Sequence, residues 1–145
     1  MTVNLIKLCV GVESLDDLKL RHRARLDARK AAGEAREIIH TTRIGPKRRD
    51  ELLDGGALYW VIKGHVQARQ MVKDLREHRG LDGITRCDIV LQPKIIPVMP
   101  TPRRPFQGWR YLEVDSAPGD IDLSNREFLD MSPGMRAELR ELGLI

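Results

Sequence analysis

Aromatic side chains are scarce in this chain of 145 residues: two Trp, two Tyr and two Phe make up 4% of it. Five of these six fall in two short stretches, GGALYWVIKG (residues 55–64) and RRPFQGWRYL (residues 103–112). Cysteine is nearly absent as well. Cys9 and Cys87 stand far apart in apolar runs, which reads as two buried free thiols rather than a disulfide. There is no Cys-x-x-Cys pair and no Cys/His cluster at zinc-ligand spacing, and His22, His40, His65 and His78 show no His-x-x-x-His pattern. No metal site and no cofactor are expected. The chain also lacks the roughly 20-residue apolar run that spans a bilayer, and MTVNLIKLCV carries no basic leader or cleavage site. Cytoplasm is the expected location. Neither a Gly-x-Ser-x-Gly elbow nor a P-loop spacing is present, which argues against serine-hydrolase and P-loop chemistry.

What is present describes a soluble globular protein, with 41% hydrophobic and 32% charged residues. The length suits one domain over residues 1–145, with a basic α+β body (1–114) and an acidic helical C-terminal segment (115–145). The net charge of +4 hides this division. Residues 1–112 carry 22 Lys/Arg against 13 Asp/Glu, and residues 113–145 carry 3 against 8. Such a basic body suits an anionic partner such as nucleic acid. The other reading is a solvated basic face onto which the acidic segment folds back.

Residues 2–10 read as a first strand ending at Gly11. Ser14 opens a helix as its N-cap, with Asp17 as capping-box partner and Leu15, Leu18, His22 and Leu26 on one face. Its second half, RHRARLDARK, is strongly basic and reads as solvent-facing. Residues 36–42 form a second strand, Gly45-Pro46 a turn, and 47–53 a short helix. Residues 57–63 are the central strand. A helix is expected over 66–79 from the stripe Ala68, Met71, Val72 and Leu75, closed by Gly80. Residues 84–92 return to strand, with Cys87, Ile89 and Leu91 on one side. Residues 93–105 hold five of the eight prolines, which implies an edge strand or an extended wrapping loop. A last strand follows over 108–115, then helices starting at Ser124 and at Ser132-Pro133. The sum is one α+β domain of about five strands and four or five helices.

Three groups of residues are candidates for function. Arg43, Lys47, Arg48 and Arg49 precede the central strand; Arg103, Arg104 and Arg110 surround Phe106, Trp109 and Tyr111. Guanidinium groups bind phosphates and aromatic faces stack on unpaired bases, the combination that single-stranded RNA recognition uses. Trp60 reads as core, whereas Trp109 suits either core or a stacking surface. The turn TTRIGPKRR (residues 41–49) either presents amides to a phosphate or is an ordinary charged loop. Lys63 leaves the central strand either towards a ligand or to reach water, and His40 is either a proton carrier or a structural histidine.

With GGALYWVIKG, TTRIGPKRR and RPFQGWRYL in view, the chain resembles a family of small bacterial proteins, chiefly alphaproteobacterial, defined only as a domain of unknown function. That resemblance covers nearly the whole chain and brings no activity with it. More distantly, the order strand, basic Thr-x-Arg turn, short helix and strand ending in Lys is similar to PUA-like domains, including the ASCH and EVE families. This implies a small mixed β-barrel or curved sheet with flanking helices, and RNA or modified bases as ligands.

The reading that follows is nucleic-acid binding, of RNA or a modified base. Arg43, Lys47, Arg48, Arg49, Lys63, Arg103, Arg104 and Arg110 would contact phosphate, and Trp109 and Tyr111 would stack. One alternative is a small hydrolase acting on a nucleotide or modified nucleoside, with Lys63 and His40 or Thr42 at its pocket. The other is a protein-interaction domain that works through its acidic segment.

Overall fold

The computed structural model of the chain describes residues 1–121. Seven strands and two helices follow in the order β1 (Val3–Leu8), α1 (Leu15–Ala31), β2 (Ile38–Thr42), α2 (Arg49–Leu53), β3 (Ala57–Ile62), β4 (His65–Arg79), β5 (Thr85–Leu91), β6 (Ile96–Pro102) and β7 (Trp109–Glu113). They form one mixed sheet in the order β2-β5-β4-β3-β1-β7, with β6 also beside β4. Only β1 and β3 run parallel; the other ladders are antiparallel. The class is α+β, and the sheet curves without closing, since β2 and β7 share no ladder. Among the described residues no helix is long and apolar enough to cross a membrane.

The expected helix over 66–79 is instead β4, the longest strand. Two features hid it. Ala68 and Val72 satisfy a spacing of four and of two alike, so both periods fit them. Between them lies Gln70, fully buried although polar, which breaks the apolar alternation expected of a strand. Register shifts at Gln67 against β3 and at Lys73 against β5 disturb the period further. The strand is entered through a two-residue hairpin, with Lys63 at φ 48 and Gly64 at φ 79, the left-handed pair of a primed turn. Lys is an unusual occupant of that first position, so the turn carries little signal in the sequence.

The remaining elements match expectation closely. β6 holds Pro97, Pro100 and Pro102 and pairs only with β4 among the strands, as a proline-rich edge strand should. On α1 the hydroxyl of Ser14 accepts from the Asp17 N–H at 3.1 Å. The Asp17 carboxylate accepts from the Glu13 N–H at 3.0 Å, one residue before the cap, and this bond leads the causes that lower its pKa. Leu15, Leu18 and His22 are the buried face of α1. They close over a core of Val3, Leu5, Leu58, Trp60, Ile62 and Ile89. A second cluster on the opposite side of the sheet gathers Ile6, Tyr59, Val61, Val66, Val98 and Leu112. β3 is buried along its whole length between the two, which makes it the centre of the core.

α1 is tied to the sheet by a buried carboxylate. Glu37 accepts from Arg76 at 3.0 and 3.1 Å, from Lys73 at 2.9 Å and from Arg29 of α1 at 3.4 Å. The hydrogen bonds from Arg76, then Lys73, hold its pKa down to about 2. A depressed carboxyl pKa contributes stability that is complete above the unfolded value and is lost as pH falls towards the folded one. Stability should therefore decline between about pH 4.5 and about pH 2. Glu37→Gln should remove about 2–3 kcal/mol in urea titrations at pH 7 and flatten that acid limb. An unchanged acid limb would refute this role.

The expected helices at Ser124 and Ser132 lie outside the described residues. The start of the acidic segment does fold back on the body. Residues 119–121 run beside β6, where Met99 N–H donates to the Gly119 carbonyl and Ile121 N–H to that of Pro97. Asp120 accepts from Nε and from one terminal nitrogen of the Arg69 guanidinium at 2.7 and 2.8 Å.

Candidate functional site

The two basic–aromatic stretches, far apart in the chain, meet in the structure. Trp109 donates its indole N–H to the Ile44 carbonyl at 2.7 Å, and the Tyr111 hydroxyl accepts from the N–H groups of Lys47 and Arg48 at 2.8 and 3.0 Å. The two rings stand edge to face, 5.0 Å apart. The loop after β2 is thereby pinned against β7, bridging the open ends of the curved sheet through side chains where no ladder exists.

This docking engages several of the expected phosphate contacts. Arg48 lies over the Tyr111 ring and pairs with Glu51 at 2.5 Å and Glu113 at 2.8 Å. Arg49 donates to the Leu75 carbonyl at 2.5 Å and pairs with Asp74 at 3.3 Å. Lys63, at the hairpin tip, pairs with Glu13 at 2.7 Å. Arg103 and Arg110 both flank the Phe106 ring, at 5.2 and 5.1 Å. Arg43, Lys47 and Arg104 are exposed and have no carboxylate partner among the described residues. A shallow cavity of about 350 Å³ opens beside the loop, bordered by Arg43, Arg49, Arg76 and Arg86.

A more enclosed cavity of about 150 Å³ lies where α1 crosses the ends of β1, β2 and β3. Its wall includes Cys9, His22, His40 and Trp60, with Lys7, Arg21 and Arg25 around it. Trp60 is core, and its indole N–H donates to the side-chain oxygen of Gln70 at 2.8 Å. The same oxygen faces Nε2 of His22 at 2.7 Å, and the Gln70 amide N–H donates to the Gln92 carbonyl at 3.0 Å. His40 meets the Trp60 ring edge-on, with centroids 5.6 Å apart. Burial, then the charges of Lys7 and Arg25, push the His40 pKa down to about 4. Burial also lowers that of His22 and raises the Cys9 thiol to about 11. At neutral pH these four groups are thus uncharged: two neutral imidazoles, an indole and a protonated thiol. The charge at the cavity is that of Lys7, Arg21 and Arg25, which also line it.

The far side of α1 forms an open groove of about 680 Å³ bordered by Lys19, Arg23, Lys30 and Arg36. His22 belongs to the wall of both the groove and the enclosed cavity. Lys7, Lys19, Arg23, Arg25, Lys30 and Arg36 have no carboxylate within ion-pair distance among the described residues. Lys7 also borders a cavity of about 530 Å³ beside Phe106 and Gly108, which connects this face to the 103–110 loop. The sequence marks α1 as basic without placing it beside a cavity. Its density of cations, in RHRARLDARK, was the available signal.

Of the residues considered for hydrolysis, His40 lies in the cavity wall. The Thr42 hydroxyl is committed to the Ile44 carbonyl at 2.9 Å, and Lys63 is not part of that wall. Among the described residues no group of three or more His, Cys, Asp or Glu could hold a metal ion.

Comparison with known families matches residues 5–145 to a model described as "Protein of unknown function (DUF1489)". Neither the comparison with curated proteins nor that with solved structures returns a match.

Proposed function

The chain belongs to the DUF1489 family, whose description assigns no activity, and on that premise we propose that it binds single-stranded nucleic acid, RNA foremost. One observation carries the reading: a cavity of about 150 Å³ with two neutral imidazoles and an indole in its wall is also lined by Lys7 and Arg25, which have no carboxylate partner among the described residues. A void of that size in an apolar core accepts a single aromatic ring. A flat heteroaromatic base suits such a wall, and its phosphates suit the guanidinium groups outside it. Lys7 and Arg25 at the cavity and Arg23 at the neighbouring groove are the first phosphate contacts, with Arg43, Lys47, Arg103, Arg104 and Arg110 extending the path around the loop and β7. Arg48, Arg49, Lys63, Trp109 and Tyr111 serve this surface chiefly by holding it together. The resemblance to PUA-like domains agrees with the same ligand class.

The test is fluorescence anisotropy with mixed-sequence RNA 12-mers at two salt concentrations. Engagement of about four of these eight cations at a time gives a log–log slope near −2.8, so affinity should fall about 50-fold between about 50 and 200 mM salt. Arg23→Glu with Arg25→Glu should weaken binding at least tenfold at low salt and reduce that slope. Absence of binding by the wild-type chain at low salt would overturn the reading.

A further inference from the structure

One side of the enclosed cavity is core: Val12, Leu18, Ile38 and Trp60 line it and belong to the buried cluster under α1. The other side is cationic. Arg21 and Arg25 stand one turn apart on the face of α1 that also carries Leu18 and His22, and Lys7 comes from β1. The Arg21 guanidinium is held by the Gly11 carbonyl at 2.6 Å and by Asp17 at 3.3 Å. Among the described residues, Asp17 is the one carboxylate within ion-pair distance of these three cations, and no Asp or Glu lines the cavity. His22, His40 and Cys9 are uncharged there at neutral pH. Three positive charges thus face one negative, a net of +2. The groove beyond α1, by contrast, includes Asp27 and Glu34, and the cavity beside the loop after β2 includes Glu77. Like charges gathered around one cavity repel each other, and an anion of matching charge relieves that repulsion.

We propose that this cavity takes the end nucleotide of a strand that bears a terminal phosphomonoester, with the phosphate against Lys7, Arg21 and Arg25. The proposal rests on the nucleic-acid reading above and deepens it by naming the part of the strand that enters. Charge and shape both select that part. An internal phosphodiester carries a single negative charge, whereas a phosphomonoester carries about −1.5 to −2 at pH 7 and offers three acceptor oxygens to the guanidinium donors. The second figure matches the net charge at the cavity. The space accepts one ring and is backed by core on one side, so an end nucleotide fits it and a continuous strand does not thread through it. A 5′-phosphate and a 3′-phosphate present the same chemistry to these three cations. His40 reports occupancy: burial, then Lys7 and Arg25, hold its pKa down, and a dianion beside those two cations offsets their share.

The wild-type chain tests this directly, with three oligo(U) 12-mers: one with hydroxyls at both ends, one with a 5′-monophosphate and one with a 3′-monophosphate. One phosphorylated strand is expected to bind at least tenfold tighter than the hydroxyl-ended strand at low salt, and which of the two does so identifies the end. Lys7→Gln with Arg25→Gln should cut that preference to less than about twofold. NMR titration of His40 should give a higher pKa with the preferred strand bound than with the hydroxyl-ended one, a change that a purely structural role for the two cations would not produce. Equal affinity for all three strands, or the same His40 pKa in both complexes, overturns the subsite while leaving general nucleic-acid binding intact. Failure of every strand to bind overturns both.

Discussion

Replacing Gln70 with leucine should destabilise the fold by about 3–5 kcal/mol, read as a lower urea midpoint with an unchanged slope. Leucine fills a similar volume, so the loss is almost wholly one of hydrogen bonds. Three groups would lose their partner together: the buried Trp60 indole N–H, the buried His22 Nε2–H, which donates because the amide oxygen can only accept, and the Gln92 carbonyl. Each unpaired group costs about 1–3 kcal/mol, and both donors sit on rings packed into the core. Gln70→Glu is the informative companion. It keeps the acceptor for both rings but sets a charged oxygen against the Gln92 carbonyl, and its negative charge would raise the His22 pKa. A loss below about 1 kcal/mol for Gln70→Leu would show that water reaches these groups and that the His22 tautomer is not enforced.

The second large effect is expected at the entrance to β3. Gly56→Ala should cost about 3 kcal/mol or more, because an added Cβ would run into the carbonyl oxygens of Val3 and Leu52. Neither can give way cheaply: both belong to the backbone, and Gly56 itself is clamped by its N–H on Leu52 and its carbonyl on Val72. The preceding glycine is a control of the opposite kind. Gly55 has φ 81 with nothing within 4 Å of an added Cβ, so Gly55→Ala carries only the left-handed backbone penalty, about 1 kcal/mol. Equal losses for the two variants, in parallel denaturation curves, would contradict the close approach at Gly56.

Those two glycines were legible as a turn into the central strand, but their separate roles were not, since contact with Val3 depends on parallel pairing across the fold. Most elements could be read in this way. The Ser14 cap, the buried face of α1, the Gly45-Pro46 turn and the proline-rich edge strand all follow from local chemistry. β4 could not, because its interior position 70 is filled by a polar residue that serves two rings from elsewhere in the chain. The site shows the same divide. Residues 41–49 and 103–111 stand out in composition, and their docking through Trp109 and Tyr111 gives that composition a structural reason. The enclosed cavity was not visible. Lys7, His22, His40, Trp60 and Gln70 come from four strands and a helix, and only the sheet order brings them together.

The place of β1 in that order bears on how the chain acquires its structure during synthesis. Leu5 pairs with Leu58 on one side, while Val3 pairs with Glu113 on the other. Both partners of the first strand made are among those made later, and loop closure over such separations is slow relative to the hairpin that joins β3 to β4. The β3–β4–β5 meander can assemble while the rest is still being translated. β1 must wait for β3 on one flank and until Glu113 has left the ribosome on the other. Through that interval the nascent chain carries an apolar strand, VNLIKL, with an open edge, the form most prone to pair with a neighbour. The aromatic residues of β7 that pin the β2 loop are thus also among the last parts of the sheet to arrive.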